Sequence, residues 1–120
     1  MMEHRKNPRF HVQFRSSFSS VAMVGGEGDI VDLSVHGCRI ESPADVQPGI
    51  SLEVRIATRV PEPPIQIQQA LVRWNRGRQF GVEFVTMAPQ EWARLQQTVK
   101  QIEMEPYERD KQAEKLDESA

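Results

Sequence analysis

Two short segments of this 120-residue chain carry the side chains best suited to chemistry. Asp32, Ser34 and Gly37 lie close together in one segment, and Arg5 and Arg9 lie in the other, near the start of the chain. Asp and Ser side chains bond to nearby backbone N–H groups and therefore favour turns. Glycine can take the positive φ that often closes such a turn. We therefore predict a turn at 32–37 that carries a carboxylate and a hydroxyl at its rim.

The two arginines are predicted to lie on an extended arm rather than on one face of a helix. Pro8 restricts Asn7 to extended conformations, and four extended residues span roughly 13 Å. Each guanidinium offers a planar fork of donors that matches a phosphate or the O6/N7 edge of guanine. With the acceptors at Asp32 and Ser34, the arginine pair points to an anionic ligand that contains guanine.

The elements that must position these residues are predominantly strands. Apolar and polar residues alternate with a period of two, which is typical of half-buried strands. The predicted strands are about 10–18, 27–33, 38–41, 50–57, 65–74 and 80–84. The alternation changes phase near Gln68–Ala70, which predicts a bulge, and Gly81 indicates a bend or a close backbone approach.

From Pro89 the apolar period becomes helical. One stripe at three- and four-residue steps is formed by Trp92, Leu95, Val99 and Ile102. We expect this helix to pack on the strands and Pro106 to end or kink it. Six strands and one helix predict a mainly β fold, a small antiparallel β-barrel or sandwich. The predicted organisation is a flexible arginine arm at 1–9, a barrel with its helix at 10–104 and a charged, solvated tail at 105–120.

Composition excludes several classes of function. The formal net charge of −2 argues against a DNA- or RNA-binding protein. Cys38 is the single cysteine, so no internal disulfide or cysteine metal cluster is expected. No secretory signal or membrane-spanning run stands in the sequence, which predicts a cytoplasmic protein with no membrane insertion. No metal set, acid–base pair or nucleophilic triad emerges, so we expect no enzyme, no metal and no cofactor.

The sequence resembles the PilZ domain family, the bacterial receptor module for cyclic di-GMP. The family motif Arg-x-x-x-Arg stands at Arg5 and Arg9, and Asp/Asn-x-Ser-x-x-Gly stands at Asp32, Ser34 and Gly37. A looser resemblance extends over 72–84, and the whole match covers about 5–103. It implies a six-stranded antiparallel β-barrel that binds cyclic di-GMP through these five residues.

Three further residues are candidates for the ligand site. His4 lies on the same arm as the two arginines, and Arg39 faces outward if Cys38 and Ile40 point inward. Trp74 is foremost a barrel residue, but it lies near a strand end and could stack on guanine, because stacking tolerates any base.

The function expected from these features is a receptor that couples cyclic di-GMP to an unidentified protein effector. Ligand binding would order the N-terminal arm and change the surface that the effector meets. The alternative is a PilZ-like adaptor that binds a protein and no nucleotide. A barrel that binds single-stranded nucleic acid is a further rival, although its surface should be basic and aromatic.

Overall fold

Six strands and one helix form the part of the chain that the structure, a computed structural model, describes. The described residues are 10–20, 25–58 and 62–119, with side chains described as far as residue 104. In chain order the elements are β1 (Phe10–Ser19), β2 (Gly26–Leu33), β3 (Gly37–Glu41), β4 (Ser51–Ala57), β5 (Ile65–Arg76), β6 (Gln79–Thr86) and α1 (Pro89–Ser119).

The strands close into an antiparallel barrel in the order β1-β2-β3-β6-β5-β4, with β1 pairing back onto β4. The alternation seen in the sequence places one face of each strand inside. In β4, for example, Leu52, Val54 and Ile56 are buried while Glu53 and Arg55 lie on the outer side. The predicted six-stranded antiparallel barrel with one C-terminal helix is confirmed.

A bulge in β5 keeps its apolar residues inside the barrel. Ile67 pairs with Val54 and Ala70 pairs with Leu52, so that two residues of β5 oppose one residue of β4. The extra residue moves the inward positions by one, and Ile67, Ala70 and Val72 are all buried. The bulge predicted from the change of phase is therefore confirmed.

The helix α1 begins at Pro89 and packs on the barrel through Leu95, Val99 and Ile102, which are buried. The predicted apolar stripe is confirmed. Of the two outcomes predicted for Pro106, an end of the helix is wrong, because α1 continues to Ser119, and a kink stays a prediction. An internal proline removes one intrahelical hydrogen bond, and the helix continues past that position. Within the described residues no helix is both long enough and apolar enough to cross a bilayer.

Candidate functional site

The strand register brings three candidate side chains into one row across the outside of the barrel. Asp32 on β2 pairs with Arg39 on β3, Arg39 pairs with Gly81 on β6, and Gly81 pairs with Trp74 on β5. Neighbouring strands lie about 4.8 Å apart, so the three steps span roughly 14 Å. We call these four residues the outer row. The row presents a carboxylate, a guanidinium and an indole side by side.

Two bulges turn the ends of the outer row away from the barrel core. The register shifts between Ile30 and Asp32 in β2, and again between Val72 and Trp74 in β5. Residues two apart on a regular strand share a face. Asp32 would therefore point into the core like Ile30, and Trp74 would point inward like Val72. The extra residue in each strand reverses this, and such bulges often re-aim side chains next to functional sites.

Asp32 and Arg39 form an ion pair in the outer row. The Arg39 Nε lies 3.2 Å from the Asp32 Oδ2, and the two side chains are 33% and 10% exposed. The buried Nε makes no aligned hydrogen bond within the described residues. The contact is therefore mainly electrostatic, and it holds the carboxylate beside the guanidinium. The expectation that Arg39 faces outward is confirmed, since Cys38 and Ile40 are fully buried on either side.

The turn predicted at 32–37 is present, and Ser34 holds it together. The Ser34 Oγ accepts hydrogen bonds from the backbone N–H of His36 at 3.1 Å and of Gly37 at 3.2 Å. It also donates to the Gly37 carbonyl oxygen at 3.3 Å, and the residue is only 2% exposed. The hydroxyl therefore serves the turn in this structure, and its direct contact with a ligand stays a prediction.

Gly37 is a glycine for a reason other than the predicted one. Among the described glycines a positive φ occurs at Gly49 and Gly77, so the expectation of a positive φ at Gly37 is wrong. A Cβ at this position would overlap the carbonyl oxygen of Val82 on β6. The missing side chain therefore permits the close approach of β3 to β6 next to the outer row.

Gly81 gives the indole of Trp74 its place on the barrel. A Cβ at Gly81 would overlap the Nε1 of Trp74, so the indole lies directly over the glycine. The close approach at Gly81 is therefore made by a side chain and not by the backbone that was predicted. The guanidinium carbon of Arg76 lies 5.5 Å from the centroid of the Trp74 ring. Sequence analysis missed Arg76, although its position two residues after Trp74 on one strand was the available signal.

Beside the outer row, the register pairs Asp29 on β2 with Glu41 on β3, and Glu41 with Gln79 on β6. Arg15 binds Asp29 at 2.7 Å and Glu27 at 3.0 Å. The hydrogen bond to Asp29 and its charge raise the pKa of Arg15, with a smaller contribution from Glu27. The Gln79 Nε2 donates to the Glu41 Oε2 at 3.3 Å. Attraction for an anion at this surface must therefore come from individual guanidinium groups, and not from a broad basic patch.

Three of the candidate site residues, His4, Arg5 and Arg9, lie outside the described residues. Their contribution to the site stays a prediction. Within the parts of the chain that are described, no cluster of His, Cys, Asp and Glu side chains is arranged to hold a metal ion.

A comparison with family models identifies the class of protein. The model of the PilZ domain matches residues 3–101, a range that includes both sequence motifs. The chain therefore belongs to the PilZ domain family. No curated protein sequence matches the chain.

Several solved structures share the fold. YcgR from Escherichia coli, in complex with c-di-GMP, is 17% identical with a TM-score of 0.73, covering 92% of this chain and 51% of YcgR. The PilZ domain of YcgR with c-di-GMP is 14% identical with a TM-score of 0.73, covering 91% of this chain and 98% of that domain. The inhibitor of motility MotI/DgrA from Bacillus subtilis is 20% identical with a TM-score of 0.64, covering 83% of this chain and 52% of that protein.

The chain thus spans about half the length of YcgR and of MotI/DgrA, and nearly all of the isolated PilZ domain. At these levels of identity the likeness concerns the fold.

Proposed function

We propose that this chain is a non-enzymatic receptor for cyclic di-GMP and that the outer row is the floor of its binding site. The observation that carries the proposal is the register, which aligns Asp32, Arg39 and Trp74 on one outward surface. Membership of the PilZ family and the likeness to PilZ structures that hold c-di-GMP support it.

Each side chain of the row suits one part of this ligand. The carboxylate of Asp32 is an acceptor that can take the N1–H and exocyclic amino group of a guanine. Arg39 offers a planar donor fork to a phosphate or to the O6/N7 edge. Trp74 offers a flat surface for stacking. Arg5 and Arg9 are proposed to close over the ligand and bind its phosphates.

Stacking is needed because the arm alone binds too weakly. An arginine–guanine pair is worth about 1–3 kcal/mol, whereas ordering a residue costs roughly 1–2 kcal/mol. Ordering five residues of the arm would therefore cost about 5–10 kcal/mol, which offsets the roughly 2–6 kcal/mol that its two arginines contribute. Base stacking on an aromatic side chain adds about 1–3 kcal/mol per base. The indole of Trp74 is therefore proposed to supply affinity that the arm cannot.

Calorimetric titration with cyclic di-GMP tests this proposal. We expect the wild-type chain to bind, and Arg9→Ala to weaken binding by about tenfold or more, since one charge-assisted contact is worth roughly 1.5–3 kcal/mol. Arg9→Lys should recover only part of the loss, because lysine keeps the charge and lacks the planar fork.

Arg78→Ala provides the matched control, because it removes the same charge from an exposed turn. Similar losses in Arg78→Ala and Arg9→Ala would mean that only overall charge matters. If the wild type gives no binding heat with cyclic di-GMP, the receptor proposal is wrong. The result would favour the alternative, a PilZ-like adaptor that binds a protein and no nucleotide.

The proposed signal is the ordering of residues 4–9 against the barrel. Amide hydrogen exchange should slow in this segment when cyclic di-GMP is added at saturation, because backbone N–H groups that become bonded exchange more slowly. The amides of β5 serve as an internal reference. Apart from those next to Trp74, their exchange rates should not change when the ligand binds. Unchanged exchange at 4–9 in a chain that binds the ligand would disprove the arm mechanism and leave the receptor role standing.

The ordered arm is proposed to form part of a surface for a protein effector. Coupling to an effector would transmit the presence of the ligand to another protein.

A further inference from the structure

We infer that Arg76 covers the indole of Trp74 in the ligand-free protein and must leave it before a guanine can stack there. Arg76 is thus an affinity-determining residue of the site. The inference rests on the proposed function, and it adds a residue that neither sequence motif contains.

Two groups contact the indole of Trp74 while Arg76 is in place. On the barrel side the indole lies over Gly81, so closely that even a Cβ at Gly81 would overlap it. Above the ring stands the guanidinium of Arg76, at 5.5 Å from the centroid. A guanine that stacks on Trp74 would therefore need the space that the guanidinium now occupies.

Arg76 is placed so that it can move. It is the last residue of β5, its side chain is exposed, and Gly77 follows it with a φ of +64° in a tight turn. A cation over an exposed aromatic ring is a weak contact, equivalent to about a two- to fivefold change in an equilibrium constant. A stacked base contributes more than this contact. The exchange of the guanidinium for guanine is therefore favourable, and the lost cation–π contact lowers the net affinity.

The first test measures the cover without any ligand. The chain has two tryptophans, so Trp92→Phe leaves Trp74 as the single tryptophan, which can be excited selectively. In this background, acrylamide should quench Trp74 more efficiently in Arg76→Ala than in Arg78→Ala. Both substitutions remove one positive charge from the same hairpin, and acrylamide is neutral. A difference in quenching therefore reports how far the Arg76 side chain shields the indole of Trp74. Equal quenching in the two variants would overturn the inference.

The second test measures the consequence for binding and uses the chain with both tryptophans. Arg76→Ala should bind cyclic di-GMP about two- to fivefold more tightly than Arg78→Ala, which is the cation–π contribution expressed as a ratio of dissociation constants. If the affinity of Arg76→Ala equals or falls below that of Arg78→Ala, the inference that Arg76 covers the indole is wrong, and the receptor function is unaffected. Absence of binding in the wild type and in both variants would overturn the receptor function and this inference with it. Binding by Arg76→Ala alone would support both.

Discussion

Replacing Asp32 by alanine is expected to lower the affinity for cyclic di-GMP by about 5- to 150-fold. This range is the discrimination of about 1–3 kcal/mol that a paired contact to a base edge provides. Asp32 is the acceptor of the outer row, and its side chain is 10% exposed, so water cannot readily take its place. Calorimetric titration of the wild type and the variant measures the loss.

Two matched variants separate the acceptor from its surroundings. Asp45→Ala removes an exposed carboxylate from the loop after β3 and should bind like the wild type. Asp32→Asn keeps the size and one acceptor oxygen, and should lose less affinity than Asp32→Ala. Wild-type affinity in Asp32→Ala, with the fold verified by circular dichroism, would show that the outer row is not the ligand floor.

Because Asp32 and Arg39 form an ion pair, Asp32→Ala changes the surroundings of Arg39 as well as removing the acceptor. Removing the carboxylate leaves the buried Nε of Arg39 beside an apolar methyl group, and a buried polar group without compensation costs about 1–3 kcal/mol. A double-mutant cycle resolves this. If Arg39 only positions Asp32, then Arg39→Ala should weaken binding in the wild type and change nothing further in Asp32→Ala. An additional loss in that background would indicate direct contact of Arg39 with the ligand.

The strands were predictable because each one has a buried and a solvated face. The apolar alternation predicted Ile50–Ala57 as the fourth strand, and the structure has Ser51–Ala57. The bulge at Gln68–Ala70 was also predictable, since an extra residue changes the phase of the apolar pattern. The continuation of α1 past Pro106 was not, because the cost of an internal proline does not fix where a helix ends.

The outer row could not be predicted in the same way. Its alignment depends on which residue of β3 pairs with Asp32 and which residue of β5 pairs with Gly81. Bulges after Ile30 and after Val72 decide both pairings. A register is a property of two strands together, and no local pattern in either strand reports it. The motif residue Asp32 was therefore predictable as a candidate, whereas its neighbourhood with Trp74 required the structure.

Gly37 shows the same limit within a single motif residue. The turn pattern predicted that position 37 needs a glycine because of a positive φ, which is a local reason. The actual reason is the carbonyl oxygen of Val82 on another strand, which a Cβ would overlap. The distinction has an experimental consequence, because a clash with backbone and a clash with a movable side chain differ in cost. Gly37 and Gly81 supply one example of each.

Gly37→Ala is expected to destabilise the barrel by about 3 kcal/mol, the upper end of the usual cost of overpacking, because the obstructing atom belongs to the backbone of β6. For a domain of this size such a change lowers the midpoint of thermal unfolding by roughly 12–24 °C. Differential scanning calorimetry measures the shift. A variant that unfolds like the wild type would contradict the close approach of β3 to β6.

Gly81→Ala is the matched control, since the same methyl group there meets the indole of Trp74, which can swing away. We expect this variant to lose less than about 1 kcal/mol of stability, the range of well-tolerated substitutions, and to bind cyclic di-GMP more weakly, because the stacking surface is displaced. The two glycines thus predict opposite profiles, a large loss of stability at Gly37 and a loss of affinity at Gly81. Equal profiles would mean that the indole has no role in binding distinct from its packing on the barrel.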